Sequence, residues 1–145
     1  MTTLLTPSQV AERAGVTVSA LHFYEREGLI TSTRTAGNQR RYRHDVLRRL
    51  AFIRTSQRVG ISLAQIRDAL ATLPLDRAPT KADWSRLSQR WRAALDERIA
   101  RLQRLRDDLD GCIGCGCLSL RTCRLQNPQD ALASEGPGPR LLDPL

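Results

Sequence analysis

From Thr80 to Asp110 the chain carries one amphipathic stripe longer than the rest of the molecule can cover. Trp84, Trp91, Leu95, Leu102, Leu105 and Leu109 recur close to a seven-residue repeat; Arg98 interrupts the seam and Ile99 stands beside it. A helix of about thirty residues, against a usual length of about 11–12, needs a partner along its apolar edge. Of the chain's 145 residues only 4% are aromatic, so any core is small and gains from a second subunit or a bound metal. The stripe therefore predicts a coiled-coil homodimer in preference to a helix lying on its own domain.

Upstream, the punctuation is helical and short. Thr6-Pro7-Ser8-Gln9 combines an N-cap, a proline at the first helical position and a capping-box glutamine. Val10, Ala11 and Ala14 give this helix an apolar face, and Gly15 stops it. A second helix is expected from about Thr17 to Gly28, through Ser19, Leu21, His22, Phe23 and Tyr24. Two short helices joined by a tight glycine turn form a helix-turn-helix unit. Ile30 to Tyr42 is polar and strand-like around a turn at Ala36-Gly37-Asn38, and it ends in Gln39-Arg40-Arg41-Tyr42-Arg43. A basic hairpin in that position is a wing. A third helix is expected from about His44 to Arg58, and Ser62-Leu-Ala-Gln65 opens a fourth that runs to about Leu73.

The boundaries predicted are residues 1–73 for the DNA-binding domain, 74–79 for a linker and 80–110 for the dimerisation helix. Residues 111–124 form a cysteine-rich loop and 125–145 an irregular tail, where Asn127-Pro128 and Gly136-Pro137-Gly138-Pro139 favour no regular element. The fold class is mainly α: a winged helix-turn-helix, a long dimerisation helix and a metal-binding loop.

Charge names the partner. The formal net charge is +8, and Lys81 is the only lysine, so arginine supplies nearly all of it. Genome composition can explain arginine in place of lysine but not the excess over acids. Nucleic acid is the leading partner and a membrane surface the weaker one. No run approaches the roughly 18 apolar residues of a membrane span, and Met1-Thr-Thr-Leu-Leu-Thr-Pro7 lacks the marks of a leader, so a cytoplasmic location is expected. With only His22 and His44, histidine-based catalysis has little to work with, and no enzymatic role is expected.

All four cysteines fall within one twelve-residue window, Cys112-Ile-Gly-Cys115-Gly-Cys117-Leu-Ser-Leu-Arg-Thr-Cys123. Secreted disulfide scaffolds spread their cysteines, so this cluster reads as a cytosolic metal site. Glycines 111, 114 and 116 let the backbone turn tightly enough for thiolates to converge. Four thiolates suit tetrahedral zinc or an iron–sulfur cluster. Structural zinc usually employs two separated pairs, which tilts the spacing slightly toward the cluster.

Ser19-Ala-Leu-His-Phe-Tyr-Glu25, Gly37-Asn-Gln-Arg-Arg-Tyr42 and Leu109-Asp-Gly-Cys-Ile-Gly-Cys-Gly-Cys-Leu-Ser119 together resemble the SoxR branch of the MerR family, in order and nearly in spacing. One departure is Arg43, which stands where relatives often place a helix N-cap. The resemblance implies a homodimer joined by antiparallel long helices, with one [2Fe–2S] cluster per subunit on Cys112, Cys115, Cys117 and Cys123. It implies binding to double-stranded promoter DNA with an overlong spacer, and activation by distorting that DNA for RNA polymerase. Ser19, His22, Phe23 and Tyr24 are expected in or beside the major groove, and Arg40, Arg41 and Tyr42 at the backbone or minor groove. For Phe23, core and contact roles weigh equally. Arg121 and Arg124 are candidates for offsetting cluster charge. Two other readings stay open: a zinc- or copper-responsive regulator on the same fold, and a small electron carrier or thiol-redox protein, which leaves the wing unexplained.

Overall fold

Thr6 starts the first helix as its neighbours dictate. Its hydroxyl accepts from the Gln9 backbone N–H at 3.2 Å while the Gln9 side chain accepts from the Thr6 N–H at 2.9 Å. This reciprocal cap, with Pro7 in the first turn, launches α1 (Pro7–Ala14). Its end is fixed by Gly15, at φ +64°. There Arg54 Nη1 donates to the carbonyls of Ala14 at 2.8 Å and Gly15 at 2.6 Å. A cation at a helix C-terminus satisfies orphan carbonyls and complements the dipole. Thr17 then caps α2 (Val18–Arg26) through the Ala20 N–H at 3.0 Å.

The computed structural model describes residues 3–114 and residue 134. After α2 come two minimal strands, β1 (Thr33–Arg34) and β2 (Arg40–Arg41), antiparallel with Thr33 opposite Arg41 and Arg34 opposite Arg40. Asn38 closes the hairpin at φ +59°, its N–H bonded to the Thr35 carbonyl at 2.8 Å. Asparagine tolerates that left-handed geometry, which is why it sits at the tip. Leu5, ahead of α1, pairs with Tyr42 through two backbone hydrogen bonds of 2.8 and 2.9 Å. The foot of the wing is therefore tied to the N-terminal segment.

The next helix is α3 (Val46–Arg58), followed by α4 (Leu63–Leu70), which Ser62 and Gln65 open with a second capping box. The start of α3 and the end of α4 differ from expectation. Residues His44 and Asp45 form a turn before α3, with no side-chain cap at Asp45, whose carboxylate is drawn to Arg43 at 2.9 Å. α4 ends at Leu70, where Thr72 and Leu73 close back on the carbonyls of Ala69 and Leu70. α1 packs on α2 and α3, and α3 packs on α4. Leu21, Leu29, Tyr42, Leu50, Ile53 and Ile66 are among the fully buried side chains.

The chain divides into the units Met1–Trp91 and Arg92–Leu145. The last helix, α5 (Lys81–Gly114), begins in the first and continues in the second, past the end expected at residue 110 and through Cys112. In the first unit Leu87 and Asp83 are buried, and Trp84 and Trp91 meet the Phe52 ring of α3 at centroid distances of 6.1 and 4.6 Å. Here the long stripe does lie on its own domain. Within the second unit Ile99, Leu102, Leu105 and Leu109 are exposed, Leu102 at 57%. The stripe is thus covered up to Trp91 and exposed from Ile99 on. Among the described residues no helix is long and apolar enough to cross a membrane.

Candidate nucleic-acid interface

On α2 the face away from the core presents Val18, Ser19, Phe23 and Arg26 to solvent, with His22 half-buried between them. Positions 19, 22, 23 and 26 share one helical face, as the 3.6-residue period requires. Phe23 is 37% exposed, which decides its role in favour of the surface. Its ring lies 5.8 Å from that of Tyr24. Tyr24 itself is only 8% exposed and donates its hydroxyl to Gln57 Oε1 of α3 at 3.1 Å. It braces α2 against α3.

The inner side of α2 carries a residue that motif reading missed. Glu25 receives three hydrogen bonds: from Ser32 Oγ, from Arg40 Nε at 2.9 Å and from Tyr42 Oη at 3.3 Å. Burial pushes its carboxyl up, but the donors Ser32, Arg40 and Tyr42 outweigh that and hold it below its ordinary 4.5. One carboxylate on α2 thus gathers Ser32 of the connecting segment, Arg40 of β2 and Tyr42 just after the strand. In sequence Glu25 stands in Tyr24-Glu25-Arg26-Glu27, and nothing local announced its partners.

Of the three wing residues, the structure separates the roles. Tyr42 is 0% exposed, so the ring and hydroxyl expected at the DNA backbone are instead core and strut; its phenol is pushed up to about 12 by burial and by Glu25. Arg40 is ion-paired to Glu25. Among the described residues Arg41 bonds to neutral acceptors, the Arg40 carbonyl at 2.8 Å and Gln39 Oε1 at 2.9 Å, and no acid pairs with it. Arg34, across the hairpin, is likewise held by the carbonyl and side-chain oxygens of Asn38 at 2.9 and 3.1 Å. Spacing and charge could have nominated Arg34 and Arg26 alongside the residues singled out.

Of the cysteines, Cys112 falls within the last turn of α5, while Cys115, Cys117 and Cys123 lie outside the described residues, as do Arg121, Arg124 and the tail from 125. As a donor set, four thiols and no histidine fit an iron–sulfur group, whose irons take thiolate ligands. Among the described residues no other group of three or more histidine, cysteine or acidic side chains could hold a metal ion.

A helix-turn-helix whose second helix presents an exposed face, followed by a hairpin whose Arg41 has no acidic partner among the described residues, defines a winged helix-turn-helix regulator. Comparison with known proteins names the family. Residues 5–73 match the model of the MerR HTH family regulatory proteins, and residues 47–112 match that of MerR, DNA binding. The chain is 55% identical over 138 residues to an HTH-type transcriptional activator SoxR homolog of Chromobacterium violaceum, covering 95% of this chain and 93% of that one. It is similar to the crystal structure of a MerR family transcriptional regulator from Listeria monocytogenes, with a TM-score of 0.51 at 27% identity over 91% and 99% of the two chains. In fold it also matches HiNmlR, a MerR family regulator lacking the sensor domain and bound to promoter DNA, with a TM-score of 0.50 at 24% identity over 77% and 89%. The chain belongs to the MerR family of transcription regulators and is a homologue of SoxR; it is not an enzyme.

Proposed function

We propose that this chain is a redox-sensing transcriptional activator that works as a homodimer on promoter DNA in the cytoplasm. Cys112, Cys115, Cys117 and Cys123 would hold one [2Fe–2S] cluster per subunit. When bound, that group supplies a one-electron redox couple on those thiolates. The observation that carries the reading is positional: the four-cysteine segment begins in the last turn of a helix whose base is seated on the DNA-binding unit by Trp84, Leu87 and Trp91.

The protein's own residues divide the work. Ser19, His22 and Phe23 approach the major groove, with Arg26 beside them, and Arg41 and Arg34 meet the backbone from the wing. Tyr24, Arg40 and Tyr42 hold those elements from beneath, through Gln57 and Glu25. Ile99, Leu102, Leu105 and Leu109 form the seam between subunits. A change in α5 alters the angle between two DNA-binding heads, and the promoter is then distorted so that RNA polymerase engages both of its elements. Since deforming DNA costs several kcal/mol, a modest change in the heads' preferred spacing suffices to switch output without abolishing binding (about 1–6 kcal/mol for a smooth bend).

The test is direct. Freshly isolated protein should contain iron and inorganic sulfide and show visible absorbance that bleaches on reduction. An anaerobic transcription assay should give transcript with the oxidised form only. Cys112→Ala should lose both colour and response while retaining operator binding. Colourless, zinc-loaded protein would instead establish a metal-responsive regulator, and coloured protein indifferent to promoter DNA an electron carrier.

A further inference from the structure

At the base of α5 lies the only buried acid among the described residues, Asp83, and neither the DNA surface nor the cysteine segment uses it. Four donors converge on its carboxylate. Arg77 Nη1 from the linker donates to Oδ2 at 2.6 Å, and Thr80 reaches the same oxygen with its N–H at 2.8 Å and its hydroxyl at 2.9 Å. Arg86 Nη2, one turn along α5, donates to Oδ1. In return Thr80 Oγ1 accepts from the Asp83 N–H at 3.3 Å, so the acid also completes the helix cap. The other end of the linker is pinned as well: buried Arg49 of α3 donates to the Pro74 carbonyl at 2.9 Å.

We infer that Asp83 is a positioning residue for promoter activation, its carboxylate locking the linker and the first turn of α5 into one orientation on the DNA-binding unit. This rests on the proposal that α5 sets the angle of the DNA-binding heads. The leverage is large. A helix of 34 residues is about 50 Å long, so each degree of play at its base displaces the far end by about 0.9 Å. Packing holds this end of α5 through buried Leu87, the Phe52 contacts of Trp84 and Trp91, and Arg48 over the Trp84 ring at 5.5 Å, and the carboxylate adds a directional restraint that ties in the linker. The charge-assisted bonds to Arg77 and Arg86 are directional and shorter than neutral ones. An asparagine at this position keeps one acceptor for Thr80 and Arg77 but turns its amide N–H₂ toward Arg86 and removes the negative charge that strengthens both guanidinium bonds. Coupling between α5 and the heads would weaken while the DNA-reading surface stays intact.

The experiment compares wild type, Asp83→Asn and Asp83→Glu as full-length, cofactor-loaded protein on one promoter. Operator affinity, transcript yield at saturating protein and the fluorescence of 2-aminopurine at the spacer centre are measured. Asp83→Asn should bind within about twofold of wild type yet give roughly fivefold to tenfold less transcript, with less unstacking at the spacer. Asp83→Glu, which keeps the charge and the capping geometry, should recover most of the yield. Equal transcript from Asp83→Asn, a loss that merely tracks occupancy, or a failure of Asp83→Glu to rescue would each overturn the inference. Should Asp83→Asn not fold, Arg77→Met leaves the Thr80 cap intact and must show the same split between occupancy and output. A wild-type protein silent in both redox states would bring down the proposed function itself, a different result from a normal wild type matched by its variants.

Discussion

Arg40 on the wing donates its Nε–H to Glu25 on α2 across 2.9 Å, joining these two elements by an internal ion pair. Among the described residues the adjacent Arg41 has no acid to answer it. Neighbouring arginines on one two-residue strand are thus a strut and a free charge.

That distinction sets the first prediction. Arg41→Ala should flatten the plot of log affinity against log salt by about 0.9, the loss of one phosphate contact. Arg40→Ala should lower affinity at every salt concentration with a smaller change in slope, since its charge is already cancelled. Fluorescence anisotropy on an operator duplex at several salt concentrations separates the two; an unchanged slope in Arg41→Ala would strike that residue from the contacts.

Tyr42 supplies the second. Of the two tyrosines, Tyr42 should ionise only near pH 12, because burial and the Glu25 carboxylate both oppose phenolate. A raised folded pKa means stability that is complete below the ordinary value of 10.0 and is lost as pH climbs toward 12. Phenolate absorbance during alkaline titration should show the delayed group, and Tyr42→Phe should remove it. The same variant leaves Glu25 one donor short and should cost about 1 kcal/mol in urea unfolding.

At the acid end the sign reverses. Hydrogen bonds from Arg77 and then Thr80 hold the Asp83 carboxyl well below its ordinary 3.8. Its stabilisation is whole above that value and fades as pH falls beneath it. Urea midpoints taken from pH 6 down to about pH 2 should therefore fall more steeply for wild type than for Asp83→Asn. Parallel curves would show that the carboxylate does not contribute through its charge.

The exposed seam yields a fourth test. Leu102 and Leu105 are 57% and 40% exposed in the single chain, more than buried core leucines would be. Leu105→Glu should halve the sedimenting mass at micromolar concentration and weaken operator binding, because two half-sites are no longer held together. A Leu105→Glu protein that sediments like wild type would move the interface elsewhere.

How much was legible beforehand follows from the range of each interaction. The boxes at Thr6–Gln9 and Ser62–Gln65 span three residues and are written in adjacent letters, so α1 and α4 begin where the sequence places them. Gly15 and the hairpin tip are equally local. Tyr42 was different: amid Gln-Arg-Arg-Tyr-Arg it reads as surface, and only pairing with Leu5, together with the carboxylate of Glu25, draws it inside. Asp83 reads as an ordinary first-turn acid until Arg77 folds back over it. The stripe on α5 was found as a stripe, but the register at which it leaves its own domain depended on Phe52, thirty-two residues before Trp84. The roles of the cysteines rest on motif and family, since three of the four lie outside the described residues.

The bridge between Leu5 and Tyr42 makes the beginning of the chain a mechanical part of the DNA reader. An affinity handle or reporter fused directly ahead of Leu5 would tug on the foot of the hairpin, and a chain started a few codons later would leave the hairpin's last rung without its mate.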